Sequence, residues 1–330
     1  MILHVIGRLA PYSVPLQVAS AMSDAGIDVR VAGRHRPEDA NPLAIGFTRA
    51  MLGIVKGQFR AVHCHHGRQA LPLALLARAR GLPVVATQHS LLSTGLTWAK
   101  VSAMARLSLS TSIVCNSQAT MDSLPDRYHR RCRVVYNAVD LIPGSHEAGP
   151  SRDVDIVYVG RLEPIKQLHR LLDVVGHVVE ALGTVRVVIA GDGSQAAELL
   201  QRVDDELSGV VCLAGTLDRS GVHELLARSR MFVSMSSSEG FGNAVVEAMS
   251  AGCAVRVLDV GAMAEVVPPQ SLLDADSSSG EVAKSIVAAL QQPGGVTDEG
   301  STNRSSASSF SIERHLARLA SVYGHDLIDG

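Results

Sequence analysis

Short apolar runs alternate with longer amphipathic stretches along the first half of the chain. Each run has the length of a strand, and the stretches between runs have the apolar spacing of helices. The runs occupy residues 2–6, 29–32, 61–64, 83–87, 112–115 and 133–136. Strands that alternate with helices form parallel sheets, so this half predicts one doubly wound α/β domain.

The same alternation restarts in the second half. The stretch at residues 143–151 contains Gly, Ser and Pro and is typical of a linker. We predict a first domain over residues 1–143, a second over 151–310 and a last amphipathic helix within 311–330 that returns to the first domain. Residues 301–309 are rich in Ser, and we expect them to form a mobile loop. The five further runs occupy residues 155–159, 185–189, 210–213, 231–234 and 254–258.

Composition narrows the class of protein. Hydrophobic residues make up 46% of the chain and aromatic residues only 3%, which is typical of a core built from small branched side chains in buried parallel sheets. No apolar run approaches the roughly 18 residues that a membrane span needs, and the first residues lack the charged region of a signal peptide. The five cysteines are scattered and never form Cys-x-x-Cys, which argues against a disulfide framework. We therefore expect a cytoplasmic globular protein.

Charge is distributed unevenly between the two halves. Residues 1–150 carry 16 Lys and Arg against 8 Asp and Glu, whereas residues 151–330 carry 14 against 24. Such an imbalance arises from solvated surface residues, or it indicates that the first domain meets an anionic acceptor or a membrane surface. Nucleic acid is disfavoured because the arginines are dispersed and few aromatics are present to stack on bases.

A glycine-rich segment at residues 236–249 carries the most informative chemistry. Gly240 and Gly242 allow the backbone to approach a ligand closely, and a helix that begins near Asn243 offers amide donors to an anion. Glu239 in the loop and Glu247 one turn into the helix place two carboxylates beside the same ligand. Carboxylates accept hydrogen bonds from sugar hydroxyls, so the segment predicts a ligand with hydroxyl and phosphate groups.

Two cations follow the apolar run at residues 155–159. Arg161 and Lys166 would be ordinary surface residues if taken alone, but they lie in register with the two carboxylates at the ends of parallel strands. A pair of cations there can clamp a diphosphate and stabilise the charge that develops as it leaves.

These motifs together resemble those of a known family. The sequence Ser-Ser-Glu-Gly-Phe-Gly-Asn, with Glu239 and Glu247 separated by seven residues, resembles the signature of family 4 of the retaining glycosyltransferases. Residues 135–140, 159–166 and 189–193 resemble further motifs of that family. The resemblance implies the GT-B fold, in which two Rossmann-like domains face each other across a cleft, with the acceptor in the first domain and the nucleotide sugar in the second.

The resemblance also implies roles for individual residues. Glu247 would bind the nucleotide ribose, Glu239 the donor sugar, and the backbone of residues 241–243 the sugar and phosphates. The donor would be a UDP- or GDP-linked sugar, transferred with retention and without a metal or other cofactor. The donor-binding residues are then Gly160, Gly191, Gly215, Gly240, Phe241, Gly242, Asn243 and Glu247, and the catalytic residues are Arg161, Lys166, Glu239 and His89.

The first domain contributes histidines. His89 follows the run at residues 83–87, where family members have a histidine that touches the donor sugar or the reacting centre. Neighbours on a strand point to opposite faces, so of three nearby histidines only His63 and His65 could converge, and no third metal ligand is evident. We expect no metal site, and we assign His65 and His66 to the acceptor side.

The loop after the first strand departs from the family pattern. Family members usually have two glycines there, whereas this chain has Pro11 and Pro15, which remove amide donors and stiffen the loop. We therefore expect that the loop lines the acceptor pocket, with Tyr12 on the acceptor side, rather than cradling the donor phosphate.

The predicted function is that of a retaining glycosyltransferase acting on a small-molecule acceptor of specialised metabolism, such as an antibiotic. Four alternatives differ in chemistry. A lipid- or polysaccharide-directed transferase would use the same site, and a sugar-nucleotide epimerase or hydrolase would need no acceptor. A non-catalytic nucleotide-sugar-binding protein would not need both cations and both carboxylates. A nicotinamide oxidoreductase would need Gly-x-Gly-x-x-Gly after the first strand, where the chain has Gly7-Arg8-Leu9.

Overall fold

The computed structural model describes residues 1–8, 13–34, 41–65, 70–92, 97–142 and 152–324. Within them the strands are β1 (Ile2–Arg8), β2 (Val29–Arg34), β3 (Ala44–Ile45), β4 (Ala61–Cys64), β5 (Val84–Gln88), β6 (Ser112–Cys115), β7 (Cys132–Val134), β8 (Val154–Val159), β9 (Val187–Ala190), β10 (Val211–Gly215), β11 (Ser229–Ser234), β12 (Ala254–Leu258) and β13 (Leu272–Leu273). The α-helices are α1 (Val14–Asp24), α2 (Phe47–Val55), α3 (Ala70–Ala79), α4 (Trp98–Leu109), α5 (Gln118–Asp122), α6 (Leu168–Leu182), α7 (Ala196–Glu206), α8 (Arg219–Ala227), α9 (Asn243–Ser250), α10 (Met263–Val266), α11 (Ser279–Gln291), α12 (Gly295–Ala307) and α13 (Ile312–Tyr323).

The chain divides into two compact units. Unit 1 consists of Met1–Ala138 and Phe310–Gly330, and unit 2 consists of Val139–Ser309. Unit 1 contains a seven-stranded sheet and unit 2 a six-stranded sheet, and the paired strands in both run parallel. The prediction of two doubly wound α/β domains is therefore confirmed.

Both sheets have the same strand order. It is β3-β2-β1-β4-β5-β6-β7 in unit 1 and β10-β9-β8-β11-β12-β13 in unit 2. In each unit the first strand is third from one edge, and the chain adds strands first on that side and then on the other. The change of side lies between β1 and β4 in unit 1 and between β8 and β11 in unit 2. Open parallel sheets bind ligands at the carboxyl ends of the strands that flank this switch point.

Alternate residues of unit 1's strands pack on opposite faces of the sheet. Ile2 and Ile6 belong to a core cluster that includes residues of α1 and α13. Leu3 and Val5 belong to a second cluster that includes residues of α2 and α3. Since β1 and β4 are parallel and pair residue 4 with residue 63, even-numbered residues of β1 and odd-numbered residues of β4 share the face covered by α1 and α13.

The Ser-rich segment near the end of unit 2 is a helix, so the prediction of a mobile loop at residues 301–309 was wrong. Helix α12 extends to Ala307, and the side-chain amide of Asn303 donates to the carbonyl of Cys253 at 2.8 Å. A Cβ at Gly300 would lie 2.1 Å from the carbonyl oxygen of Gly252, so α12 packs closer there than any other residue allows. Tertiary packing overrides the weak helix propensity of serine.

Three further results concern the shortest strands, the predicted linker and membrane-spanning helices. The sequence missed β3 and β13, which are two-residue strands at sheet edges and too short to show a period. The predicted linker at residues 143–151 lies outside the described residues. Among the described helices, none combines the length and the apolar character that crossing a membrane requires.

Candidate functional site

The predicted catalytic residues of unit 2 follow the two strands at its switch point. Arg161 and Lys166 come after β8, and Glu239 comes after β11, which is the neighbour of β8 in the sheet. The two segments are also joined through their backbones, since the amide of Ser237 donates to the carbonyl of Ile165 at 2.9 Å. Parallel strand order therefore brings together residues that lie more than 70 positions apart in sequence.

Lys166 and Glu239 form an ion pair. The Lys166 ammonium contacts Glu239 Oε1, and the two side chains are only 17% and 14% exposed. The Ser236 hydroxyl donates to the same carboxylate oxygen at 2.8 Å, which fixes the orientation of Glu239. A partly buried pair with an added hydrogen bond is held far more rigidly than an exposed one, so each side chain is preorganised.

The loop that carries Glu239 is fixed by the backbone opposite it. The amide of Ala262 donates to the carbonyl of Glu239 at 3.0 Å. Gly261 has φ +57°, and a Cβ there would lie 2.0 Å from the same carbonyl oxygen. The position therefore requires glycine for two independent reasons.

Glycines also permit close packing at the ends of β8 and β9. A Cβ at Gly191, whose φ is +142°, would lie 1.8 Å from the carbonyl oxygen of Gly160. Gly215 differs, because its φ is +65° but no atom lies within 4 Å of its Cβ position. The structure accounts for Gly191 by packing and for Gly215 by backbone conformation; a donor-binding role for Gly160, Gly191 and Gly215 stays a prediction.

The helix that follows the glycine-rich loop begins at Asn243, where the sequence predicted its start. Gly242 is the residue before it and has φ +88°, a left-handed conformation that favours glycine. Phe241 is buried, 2% exposed, so its ring belongs to the core of unit 2. The predicted contacts of Gly240 to Asn243 with phosphate remain untested predictions.

Glu247 lies one turn into α9 and is largely removed from water. Burial raises the pKa of its carboxyl to about 7, although the neighbouring Arg219 guanidinium acts in the opposite direction. Arg219 itself pairs with Asp140. A carboxyl that desolvation has made costly to ionise is typical of a binding position, where a ligand's hydroxyl groups replace water.

Arg161 and Tyr158 lie beside the ion pair. The Arg161 side chain is exposed, and its carbonyl accepts a hydrogen bond from the Tyr158 hydroxyl at 3.3 Å. Burial raises the pKa of Tyr158, and the negative charge of Glu239 adds to that increase. Tyr158 is therefore a neutral hydroxyl held close to the Glu239 carboxylate.

Unit 1 gathers histidines at its own switch point. His4 lies on β1, His63 and His65 lie on or just after β4, and His89 follows β5. The His4 ring contacts His65, with Nδ1 and Nε2 at 3.0 Å, and the His65 ring contacts His89, with Nδ1 and Nε2 at 3.2 Å. His65, predicted on the acceptor side, is buried between the other two rings.

The prediction that no third metal ligand accompanies His63 and His65 was wrong. His4 is that third residue, and the ligand atoms of the three histidines all lie within 4.8 Å of one another. The cause is strand register, because β1 and β4 are neighbours and place His4 directly opposite His63. The cluster could therefore hold a metal ion or a set of hydrogen bonds.

A small cavity lies beside these histidines within unit 1. Its apolar lining comes mainly from α1, with single residues from β6, from the end of β7 and from α13. Its polar lining consists of His63, His65, Thr87, His89, Asn137 and His315. A role of His89 at the reacting centre stays a prediction. Tyr12 and His66 lie outside the described residues.

Known protein families match both halves of the chain. A family model described as glycosyl transferases group 1 matches residues 153–292, and one described as Glycosyltransferase Family 4 matches residues 13–142. The chain belongs to the family 4 type of glycosyltransferase. The GT-B fold expected from the resemblance is confirmed, since a crystal structure of Anabaena Alr3699/HepE with UDP and glucose matches at a TM-score of 0.80, covering 98% of each chain at 18% identity.

Curated relatives match this glycosyltransferase over part of their length. The phosphatidylinositol N-acetylglucosaminyltransferase GPI3 subunit of Saccharomyces cerevisiae is 27% identical over 243 residues, which cover 68% of this chain and 54% of that protein. The putative glycosyltransferase EpsF of Bacillus subtilis is 30% identical over 245 residues, 67% of this chain and 62% of that protein. The chain thus spans about half the length of the first of these relatives.

Three residues of this glycosyltransferase were missed by the sequence. Tyr158 lies inside a β8 run that appeared to be uniform core, and Arg219 begins a helix whose packing against α9 only the structure reveals. His4 was hidden within the first apolar run, although an even spacing from Ile2 and Ile6 placed it on one face. In each case the missing information was the identity of a neighbour distant in sequence.

Proposed function

We propose that this chain transfers a sugar from a UDP-linked donor to an acceptor carried by a lipid at a membrane surface. In unit 2, Lys166 and Arg161 stabilise the charge of the departing diphosphate, Glu239 accepts hydrogen bonds from the donor sugar, and Glu247 binds the ribose. The ion pair at the switch point supports this arrangement. UDP in the matched Anabaena structure and N-acetylglucosaminyl transfer in the yeast relative's name make UDP-N-acetylglucosamine the first donor to test.

The observation that carries the acceptor proposal is the outer surface of α2, α3 and α4 in unit 1. Seven of the nine large apolar side chains that are exposed in the described part of the chain lie on these three helices, and α3 contacts both of the others. A concentration of exposed apolar side chains on neighbouring helices indicates a site of interaction. The seven residues are Phe47, Met51, Leu52, Val55, Leu75, Trp98 and Val101.

The charge of the same region selects an anionic membrane as the partner. The sequence contains no Asp or Glu between Asp39 and Asp122, yet eight Lys and Arg lie in that interval. Of these, Arg49, Lys56 and Arg78 are exposed on or beside α2 and α3. Anionic headgroups attract each such cation by about 1 kcal/mol while apolar side chains enter the interface.

A lipid-borne acceptor replaces the small molecule that the sequence favoured. The yeast relative is named for transfer to phosphatidylinositol, which is a membrane lipid. We further propose retention of the anomeric configuration and no metal requirement. The pairing of Glu239 with Lys166 makes Glu239 a poor nucleophile, so the retention that we propose would proceed without a covalent glycosyl-enzyme intermediate. Product anomericity measured by NMR tests this, and inversion would contradict it.

The membrane proposal has a matched pair of variants. Leu52 on α2 and Leu200 on α7 of unit 2 are 52% and 50% exposed. We expect Leu52→Glu to reduce binding to phosphatidylglycerol vesicles by at least about tenfold, because a charge enters the apolar surface, and Leu200→Glu to leave binding unchanged. Co-sedimentation measures both, with neutral phosphatidylcholine vesicles and high salt as conditions that weaken binding.

Transfer itself is measured as UDP release from UDP-N-acetylglucosamine. We expect release to depend on vesicles that contain phosphatidylinositol or polyprenyl phosphate, and to fall with Leu52→Glu more than with Leu200→Glu. Equal activity on soluble acceptors without vesicles would contradict a lipid acceptor. Free sugar or an epimerised nucleotide formed from the donor alone would contradict transfer.

A further inference from the structure

A buried arginine bridges the ends of two neighbouring strands in unit 1. Arg106 lies on α4 and is 6% exposed. Its guanidinium donates to the carbonyls of Cys64 at 3.3 Å and Thr87 at 2.8 Å, and to the side-chain oxygen of Gln88 at 2.8 Å. Cys64 ends β4 and Gln88 ends β5, so one side chain holds together the carboxyl ends of these strands, where open parallel sheets bind ligands.

No carboxylate balances the charge of Arg106 in the described part of the chain. Its three acceptors are two backbone carbonyls and one amide oxygen, and the groups whose charges act on it are the thiols of Cys64 and Cys115. Burying a charge without a counter-charge is costly, and burial lowers the pKa of Arg106. A neutral side chain could tie two strands together at lower cost, so the role of Arg106 is to be sought in the groups that it orients.

Arg106 determines which way the side-chain amide of Gln88 faces. A guanidinium can only donate, so the amide oxygen of Gln88 must face Arg106, and the amide nitrogen faces away from it. That nitrogen donates to the carbonyl of Ser90 at 2.8 Å, and a carbonyl can only accept. Both ends of the amide are therefore assigned by their partners, and reversing the amide would break two hydrogen bonds. Arg106 thus acts, through Gln88, on the segment that follows β5.

A second buried amide holds the same segment. Asn116, which follows β6 and is 1% exposed, donates from its side-chain nitrogen to the carbonyl of His89 at 3.0 Å. Two consecutive carbonyls, those of His89 and Ser90, are thus fixed by buried side chains. The His89 ring extends from this fixed backbone, contacts His65 with Nε2 and Nδ1 at 3.2 Å, and lines the cavity of unit 1. The position of the ring therefore depends on both amides.

We propose that Arg106 is a positioning residue of the transfer reaction, and that it acts by fixing, through Gln88, the backbone from which the His89 ring extends. The inference rests on the proposed function and on the predicted role of His89 at the reacting centre. It concerns the position of the ring, whichever nitrogen carries a proton. A displacement of about 1 Å in a group at a reacting centre can lower turnover about 100-fold, so a fixed backbone there matters for catalysis.

The variant Gln88→Glu separates positioning from stability. Its carboxylate still accepts from Arg106, and now neutralises it, but cannot donate to the Ser90 carbonyl. We expect the melting temperature to stay the same or to rise. In the full chain labelled with ¹³C-histidine, the NMR ring signal of His89, assigned by its loss in His89→Ala, should shift without donor or acceptor. We expect kcat to fall by about tenfold with the KM for the donor unchanged.

A second variant tests the arginine itself. Arg106→Lys keeps a positive charge but cannot bridge three acceptors, so it should shift the His89 signal and lower kcat as Gln88→Glu does. Arg131 provides the matched control, because its guanidinium also donates to a backbone carbonyl of unit 1, that of Ser110. Arg131→Lys should change neither quantity. In the His89→Ala background, neither Arg106→Lys nor Gln88→Glu should lower kcat further, because both act through the missing ring.

Three results would overturn the proposal. The first is that Gln88→Glu and Arg106→Lys change only the melting temperature and leave the His89 signal and kcat as they are. The second is a further loss of kcat when either is added to His89→Ala, and the third is normal transfer by His89→Ala, which leaves the proposed function intact.

Failure of the proposed function is recognised separately, because the NMR measurement needs no substrate. If the His89 signal shifts in both variants but the wild-type chain releases no UDP with any acceptor, the proposed function is wrong. The structural link from Arg106 to His89 would then stand without a role in sugar transfer.

Discussion

The two units share a strand order but differ in what they place at the switch point. Unit 1 has buried imidazoles that are hydrogen-bonded to one another, and unit 2 has a partly buried ion pair. The backbone topology therefore determines where a ligand binds, and the residue types determine which ligand. Fixed charge in unit 2 suits a diphosphate whose charge grows, whereas the neutral donors in unit 1 suit uncharged hydroxyls.

The largest expected difference between the two units is in their stability at low pH. The pKa of His4 in the folded chain is about 3, against about 6.5 when unfolded, and the pKa of His63 is also well below its ordinary value. The stability that these groups provide is complete above pH 6.5 and is lost as the pH falls toward 3. At pH 5 the loss from His4 alone is about 2 kcal/mol, and His63 adds to it.

Hydrogen exchange at pH 7 and pH 5, corrected for intrinsic rates, measures this difference on the full chain. We expect peptides of β1 and β4 to lose protection at pH 5 while peptides of β8 and β11 keep it. His4→Gln should flatten the pH dependence of unit 1, whereas His177→Gln on α6, whose ring is half exposed, should not. Equal loss of protection in both units would contradict the assignment of acid sensitivity to these histidines.

Removing the ion pair should affect catalysis next most strongly. Lys166→Ala and Glu239→Ala should each lower kcat by at least about 100-fold, because a preorganised contact with the transition state contributes roughly 3 kcal/mol. Steady-state UDP release measures both, with Lys284→Ala on the exposed face of α11 as the control. Near wild-type turnover in both variants would remove the pair from the mechanism and erase the contrast between the units.

The fold was predictable because its evidence is local. Apolar runs between amphipathic stretches located eleven of the strands. The prediction for the Ser-rich helix α12 was wrong because the stability of that helix comes from contacts such as that of Asn303 with Cys253. Helix propensity within that segment contains no information about the surface on which it packs. The edge strands β3 and β13 were missed because two residues cannot define a period.

The candidate site was predictable in unit 2 and only partly in unit 1. Lys166 and Glu239 follow strands and stand in motifs, so their sequence context was sufficient to single them out. The hydrogen bonds among His4, His63 and Tyr323 depend on the register between β1 and β4 and on the packing of α13, neither of which a single sequence determines. His4 and Tyr323 lie 319 positions apart, yet their side chains share a hydrogen bond.

Glu247 should give the smallest of these effects, and its contribution to stability changes with pH in the opposite direction to that of the histidines. Burial raises the pKa of its carboxyl to about 7, so its contribution to stability is complete below pH 4.5, the ordinary value, and is lost as the pH rises through 7. Wild-type protein without ligand should therefore lose about 2 kcal/mol of unfolding free energy from this group between pH 5 and pH 8. Glu247→Gln should abolish that loss, and Glu180→Gln, an exposed carboxylate on α6, should not. Urea denaturation at the two pH values measures the difference. If Glu247→Gln loses as much unfolding free energy between pH 5 and pH 8 as the wild type, the Glu247 carboxyl is not the cause of the loss and is not desolvated in a binding position.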